Sequence, residues 1–228
     1  MFICVENVPS GSFSDGAEII EYLKSNIREE TNVEFEFESE YEFLFEQRVS
    51  MNDYEKFNAG SNEIKELAME HLKKLSPIED FIVADLNSLT RMKMDPDGLD
   101  SQPEILNVDV LAVPMINGLP VYRRGMGFGV SFDNKGIISA AARLPRDLNS
   151  ESIIASFSEE ISYDDIMNAL DDWFAENVRT LEVYQAYFLT KNNELIPIFV
   201  VGDFFIESRA NFQLFRGDTG EVFRHSEH

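Results

Sequence analysis

The carboxylates are the side chains of this sequence that are numerous and regularly spaced enough to suggest a chemical function. The chain has 42 Asp and Glu residues against 19 Lys and Arg residues in a length of 228. Two carboxylates placed together can serve as the acid and base of a hydrolase. Among so many acids such pairs arise from composition alone, so the sequence nominates no catalytic residue. A hydrolase that uses acidic residues therefore stays open as an alternative function.

Residues 32–45 carry the most regular acidic pattern in the chain. Aromatic and aliphatic side chains alternate with glutamates, a period of two that predicts one strand with an aromatic face and a carboxylate face. Neighbouring carboxylates on one strand face are about 7 Å apart, too far to chelate one calcium ion without help from another strand. We therefore expect a solvated or partner-facing surface that includes Glu36, Glu38 and Glu40.

A second acidic segment, Asp95-Pro96-Asp97-Gly98-Leu99-Asp100, predicts a loop or linker. It is weakly similar to a calcium loop but lacks the distal glutamate that would complete the coordination. A calcium-stabilised structural module remains a further alternative, and no residue is assigned as a metal ligand.

Nucleophilic chemistry has little support in this composition. There are three histidines, His71, His225 and His228, and the single cysteine, Cys4, cannot form an intramolecular disulfide. No histidine pair has the spacing of a zinc helix, and no base can be nominated for a nucleophilic serine. The glycines at 125–129 lack the lysine and the helix of a phosphate loop and favour a strand. We expect a protein without catalytic activity and without a cofactor.

The net charge of −23 restricts the partners. Binding to nucleic acid needs clustered Lys and Arg, and an anionic membrane surface repels such a chain, so neither is expected as a partner. No run of about 18 apolar residues occurs, which predicts no direct insertion into a membrane. We expect any signal or anchor to be absent from this chain.

Two adjacent arginines stand out against this acidity. Arg123 and Arg124 follow Tyr122 at the predicted end of a strand. They could bind carboxylates of a partner protein or neutralise acidic groups of the chain itself, and the second interpretation is favoured.

Three helices are predicted from spacing and caps. The first has Ile19, Ile20, Leu23 and Ile27 on one face, and the second runs from Ser61 to a stop at Ser76-Pro77. The third begins at Ser162 to Asp165. Its inward residues are predicted to be Ile166, Leu170, Trp173 and Phe174.

Residues 104–143 and 181–224 read as two copies of one small sheet. Each copy has a proline entering a strand and a polar glycine turn closing a hairpin. The predicted motif residues are Asn117, Gly118, Pro120, Gly136, Pro197, Gly217 and Gly220. With the helices that precede them, the copies predict an α+β fold of tandem units, each a helix packed on an antiparallel β-sheet. The expected units are 1–60, 61–145 and 146–228, and for residues 1–60 two alternatives stay open: a separate domain or completion of the first sheet.

The segments at 117–121, 130–138, 195–199 and 218–222 resemble PepSY-like and protease-propeptide-like modules. Their tandem arrangement, over about residues 60–224, is similar to extracytoplasmic regulators of the YycI and YycH type. That resemblance implies a helix packed on an antiparallel sheet, twice. It also implies binding to another protein, one that could be membrane-bound, as an inhibitor or sensor modulator at the cell surface or in the secreted fraction.

Overall fold

The computed structural model describes residues 16–31, 34–47, 57, 61–75, 81–91, 104–123, 125–146, 150–171, 183–202 and 212–223. The helices are α1 (Gly16–Thr31), α2 (Ser61–Leu75) and α3 (Tyr163–Asn168). The strands are β1 (Phe37–Glu38), β2 (Glu42–Glu46), β3 (Phe81–Arg91), β4 (Glu104–Ile116), β5 (Leu119–Tyr122), β6 (Gly127–Asp133), β7 (Gly136–Arg143), β8 (Val183–Leu189), β9 (Leu195–Gly202) and β10 (Phe212–Arg216). Helices beside a mostly antiparallel sheet confirm the α+β fold class.

Helices α1 and α2 bury the faces that their spacing predicts, whereas α3 ends at Asn168, so the predicted inward residue Leu170 lies beyond the helix. Ile20, Leu23 and Ile27 of α1 are fully buried, as a period of 3.6 residues requires. In α2 the apolar face is buried except at Leu67, which is 38% exposed at the margin of the face. Helix α3 begins with the predicted capping box, in which the Ser162 hydroxyl accepts from the Asp165 N–H and the Asp165 carboxylate accepts from the Ser162 N–H.

The described strands form one sheet in the order β1-β2-β7-β6-β4-β5-β8-β9-β10, with β3 also paired to β4. All neighbours are antiparallel except β5 and β8, which pair in parallel at Val121–Tyr187 and Tyr122–Phe188. This pair joins the strands of the two predicted copies. The copies also differ in pairing, because β6 pairs with β4 whereas β10 pairs with β9.

The predicted single strand over 32–45 is wrong: its described part is a hairpin. Strand β1 pairs back on β2, with Phe37 opposite Leu44, and the Ser39 N–H donates to the Glu42 carbonyl over 2.7 Å to close the turn. Because the chain reverses there, the aromatic face is not continuous. Phe43 is buried, whereas Phe37 is 50% exposed.

Helices α1 and α2 cover one face of the sheet formed by β2, β7, β6 and β4. Phe43, Phe128, Val130 and Ala142 point into the core that these helices share with the sheet. Residues one position away in each strand lie on the opposite face, which we call the outer face.

The hairpin turns have the backbone that their residues predict. Asn117 and Gly118 both have positive φ, 51° and 75°, as in a type I′ turn between β4 and β5. Gly136 has φ of 136° where β6 turns into β7.

Several sequence predictions concern residues outside the described ranges. These are Cys4, the segment Asp95–Asp100, Arg124, Trp173, Phe174, His225 and His228.

Candidate functional site

Three arginines surround an open cavity of about 350 Å³ at one end of the sheet. Arg123 follows β5, Arg143 ends β7, and Arg146 lies three residues further on. We call this site the arginine pocket. Its described lining is Ser39, Tyr41, Glu42, Arg123, Gly125, Met126, Arg143, Leu144, Pro145, Arg146 and Asn193.

Backbone hydrogen bonds bring these separate segments together. The Leu144 N–H donates to the Tyr41 carbonyl over 3.0 Å, which ties the segment after β7 to the turn of the β1–β2 hairpin. The Met126 N–H donates to the Arg123 carbonyl over 3.1 Å, in a turn that places Gly125 at φ of 73°. The pocket is therefore built on strand ends and a hydrogen-bonded turn, which hold the backbone that carries its arginines.

The guanidinium groups of the pocket have no carboxylate partner within the part of the chain that the structure describes. Among the described residues, none of the three forms an ion pair with a carboxylate, although Glu42 faces Arg143 across the β2–β7 pair. Elsewhere in the same chain arginines are paired, as in Arg28 with Glu38 and Arg216 with Asp218. Three arginines without such pairs form a local positive site in a chain of net charge −23.

The structure separates the predicted partner-binding residues. Arg123 lines the arginine pocket, whereas the Tyr122 ring lies 6.3 Å from that of Phe188, centroid to centroid. Glu36 and Glu40 are exposed on or beside the β1–β2 hairpin. Glu38 instead binds within the chain: its Oε2 lies 3.3 Å from Lys24 Nζ and 2.8 Å from Arg28 Nη2. The hydrogen bond from Lys24 and the charge of Arg28 lower the pKa of Glu38.

Sequence reasoning missed Arg143 and Arg146. Both lie about 20 residues beyond Arg123, and only the β6–β7 hairpin brings them back to it. The sequence signal that could have indicated these two arginines is the scarcity of basic residues, because in so acidic a chain arginines in neighbouring strands are unusual.

Comparisons with known proteins give a fold and no family. No family model and no curated protein sequence matches the chain. The structure is similar to the Bacillus megaterium YpeB C-terminal domain, with a TM-score of 0.50, 13% sequence identity, and coverage of 90% of this chain and 95% of that one. It is also similar to an uncharacterized protein from Eubacterium rectale, with a TM-score of 0.46, 15% identity, and coverage of 94% and 85%.

At 13% identity the first similarity shows the fold alone. It supports the PepSY-like fold implied by the sequence resemblance. The narrower likeness to YycI and YycH stays a prediction.

The remaining motif residues hold hairpins and their packing. Pro120 and Pro197 are buried within β5 and β9. The Pro197 carbonyl accepts a 2.7 Å hydrogen bond from the Gly217 N–H, and Gly220 turns the chain after β10 with φ of 73°.

Within the part of the chain that the structure describes, no group of three or more His, Cys, Asp or Glu side chains could hold a metal ion. None of the described helices combines the length and the apolar character needed to cross a bilayer.

Proposed function

We propose that this chain is a non-enzymatic, extracytoplasmic regulatory module that binds another protein through carboxylate groups at the arginine pocket. The observation that carries the proposal is the set of three guanidiniums around an open cavity, each without a carboxylate partner among the described residues. An arginine offers a planar pair of donors that matches a carboxylate, and three together give charge and geometric selectivity.

The chemistry of the lining favours binding over catalysis. A hydrolase with two carboxylates needs a second acid beside the first, and the described lining supplies Glu42 alone. Ser39 also lines the cavity, but no histidine accompanies it there as a base. Guanidiniums stay protonated throughout the physiological range and suit anion recognition better than proton transfer.

The regulatory role and the extracytoplasmic location rest on the PepSY-like resemblance, which the similarity in fold supports. Fractionation of native cells with an antibody to this chain tests the location. Recovery only from the cytosol would contradict it.

The binding proposal is tested by affinity capture from membrane and secreted fractions, followed by mass spectrometry. The baits are the wild-type chain, a double variant with Arg143→Gln and Arg146→Gln, and a control with Lys74→Gln and Lys135→Gln. Both double variants remove two positive charges. Lys74 lies on α2, and Lys135 lies in the turn just before β7, roughly 27 Å from Arg143 at about 3.4 Å per residue.

We expect one protein to be retained by the wild type and the lysine control and lost by the arginine variant. Calorimetry with the purified partner would then show the same order of affinities. Equal retention by all three baits would contradict recognition at the arginine pocket. No partner from any bait would contradict the binding function itself.

A further inference from the structure

A groove on the outer face of the sheet lies next to the arginine pocket along β2 and β7. Its floor consists of small residues from the two central strands, Gly129 and Ser131 of β6 with Ser139 and Ala141 of β7. We call this feature the outer groove. Its volume is about 310 Å³.

Larger side chains form the two walls of the outer groove. Leu44 of β2 pairs with Ala141, Ala141 pairs with Gly129, and Gly129 pairs with Leu111 of β4, which makes one row across four strands. The two leucines are three strand spacings apart, or about 14 Å. Leu44 is 39% exposed, and an exposed leucine beside a floor of small residues is an apolar surface open to a partner.

Along β7 the outer groove and the arginine pocket are adjacent, because Ala141 lines the groove and Arg143 lines the pocket. Arg143 lies two positions after Ala141 in β7 and on the same face, about 7 Å along the strand. Glu42 and Leu44 of β2 are likewise two positions apart on one face of the strand. Glu42 lines the arginine pocket and Leu44 lines the outer groove. A segment lying over Ala141 can therefore place a side chain beside the guanidinium of Arg143.

The opposite end of the outer groove is acidic. Glu46 pairs with Ser139, and Asp109 pairs with Ser131, whose Oγ donates a 2.5 Å hydrogen bond to Asp109 Oδ1. The groove thus runs from an end where three arginines outnumber Glu42 to an acidic end, across an apolar middle. This order of charges selects both the composition of an occupant and its direction.

We propose that the outer groove binds an amphipathic α-helix of the partner protein, with acidic residues at the end that reaches the arginine pocket and basic residues at the other end. This inference rests on the proposed function. A helix is about 10–12 Å across with its side chains, which is comparable to the roughly 14 Å between the backbones that carry the two leucines, so a helix can lie along the groove with its apolar face toward the floor. The small floor residues allow the apolar face of the helix to approach the sheet closely, as in other complexes of a helix in a groove.

The test is a phage-displayed library of helix-forming peptides with one randomised face, selected on the intact chain. Affinities of the enriched peptides are then measured for the wild type, Gly129→Leu, Arg143→Gln and a control, Ala169→Leu. The control adds an exposed leucine just after α3, away from the groove.

We expect the blocking variant Gly129→Leu to keep the fold. A Cβ at Gly129 would have its nearest neighbours at 3.9–4.0 Å, and the backbone there is not in the left-handed region. Ala141→Leu is a second blocking variant at an exposed strand position. Thermal unfolding of each variant establishes that it is folded.

We expect the enriched peptides to carry acidic residues at one end and to gain helical circular dichroism on binding. Either blocking variant and Arg143→Gln should each weaken binding about tenfold or more, with no change for the control. Peptides that need Arg143 but bind the blocked variants normally would overturn the groove while leaving the proposed function standing. Peptides whose binding changes neither in the blocked variants nor in Arg143→Gln would overturn the groove proposal and count against the arginine pocket as well. The same conclusion follows if no peptide is enriched.

Discussion

The guanidinium of Arg216 donates two hydrogen bonds to the carboxylate of Asp218, of 2.8 Å from Nε to Oδ1 and 2.6 Å from Nη2 to Oδ2. The pair braces the turn after β10, in which the Gly220 N–H donates to the Arg216 carbonyl over 2.8 Å. The hydrogen bond from Arg216 lowers the pKa of Asp218 below its usual 3.8.

Asp218→Asn should therefore lower the free energy of unfolding by about 1–2 kcal/mol at neutral pH, because it removes a charge-assisted pair. A carboxyl whose pKa is lowered on folding stabilises above its unfolded-state pKa, and this contribution is lost as pH falls through the folded-state value. The difference between wild type and variant in urea unfolding should shrink below pH 3.8. Glu159→Gln, at an exposed turn, is the control. A difference that does not change with pH would contradict this role.

Gly136→Val should destabilise the β6–β7 hairpin by about 1–2 kcal/mol, because φ of 136° strains a β-branched residue. No atom lies within 4 Å of a Cβ at this position, so the cost would be conformational rather than steric. Gly129→Val is the matched control, since its backbone is not left-handed and a strand favours valine. Thermal unfolding should give a lower Tm for Gly136→Val only. Equal Tm values for the two variants would exclude strain at Gly136.

Gly217→Ala should cost about 1–3 kcal/mol through overpacking. A Cβ at Gly217 would lie 2.6 Å from Cδ1 of Phe157 and 2.9 Å from Cβ of Pro197. Since the closest clash is with the ring, the cost should fall in a Phe157→Leu background. A double-mutant cycle measured by denaturant unfolding gives this coupling. Strictly additive effects would show that the ring does not limit the space at Gly217.

Lys24 is 4% exposed, and its Nζ contacts the carboxylates of Glu21 and Glu38. Lys24→Met should raise the pKa of Glu38 toward its usual 4.5, because the hydrogen bond from Lys24 is the largest cause of its lowered value. A carboxyl titration followed by NMR measures this change. Tyr22→Phe, at an exposed position of α1, is the control. An unchanged titration of Glu38 in the Lys24 variant would mean that Arg28 alone lowers the pKa of Glu38.

Local patterns in the sequence predict α1, α2, the start of α3 and the hairpin turns because the physics that fixes them is local. The buried face of α1 follows from helical spacing, and the positive φ of Asn117 and Gly118 follows from residue type. The strand predicted over 32–45 is wrong. The alternation of apolar and acidic residues indicates which side chains of a strand are buried, but it does not reveal that the chain reverses at Ser39.

The candidate site is less predictable because strand order creates it. Arg123 stands out in the sequence, but its neighbours Arg143 and Arg146 depend on how β6 and β7 return to the end of β5. The outer groove requires the register that sets Gly129 beside Ala141, and no short-range pattern encodes that pairing.

The parallel contact between β5 and β8 covers two residue pairs, yet it limits how the gene can be divided. The apolar core also extends across the boundary between β5 and β8, since Val121 belongs to one buried cluster with Tyr187, Leu189 and Leu195. A fragment that stops before β8 would leave β5 with an open edge and would expose apolar side chains beside it, both of which favour aggregation. Expression of either half for separate study should therefore yield insoluble material, so fusions and crystallisation variants should keep both halves in one polypeptide.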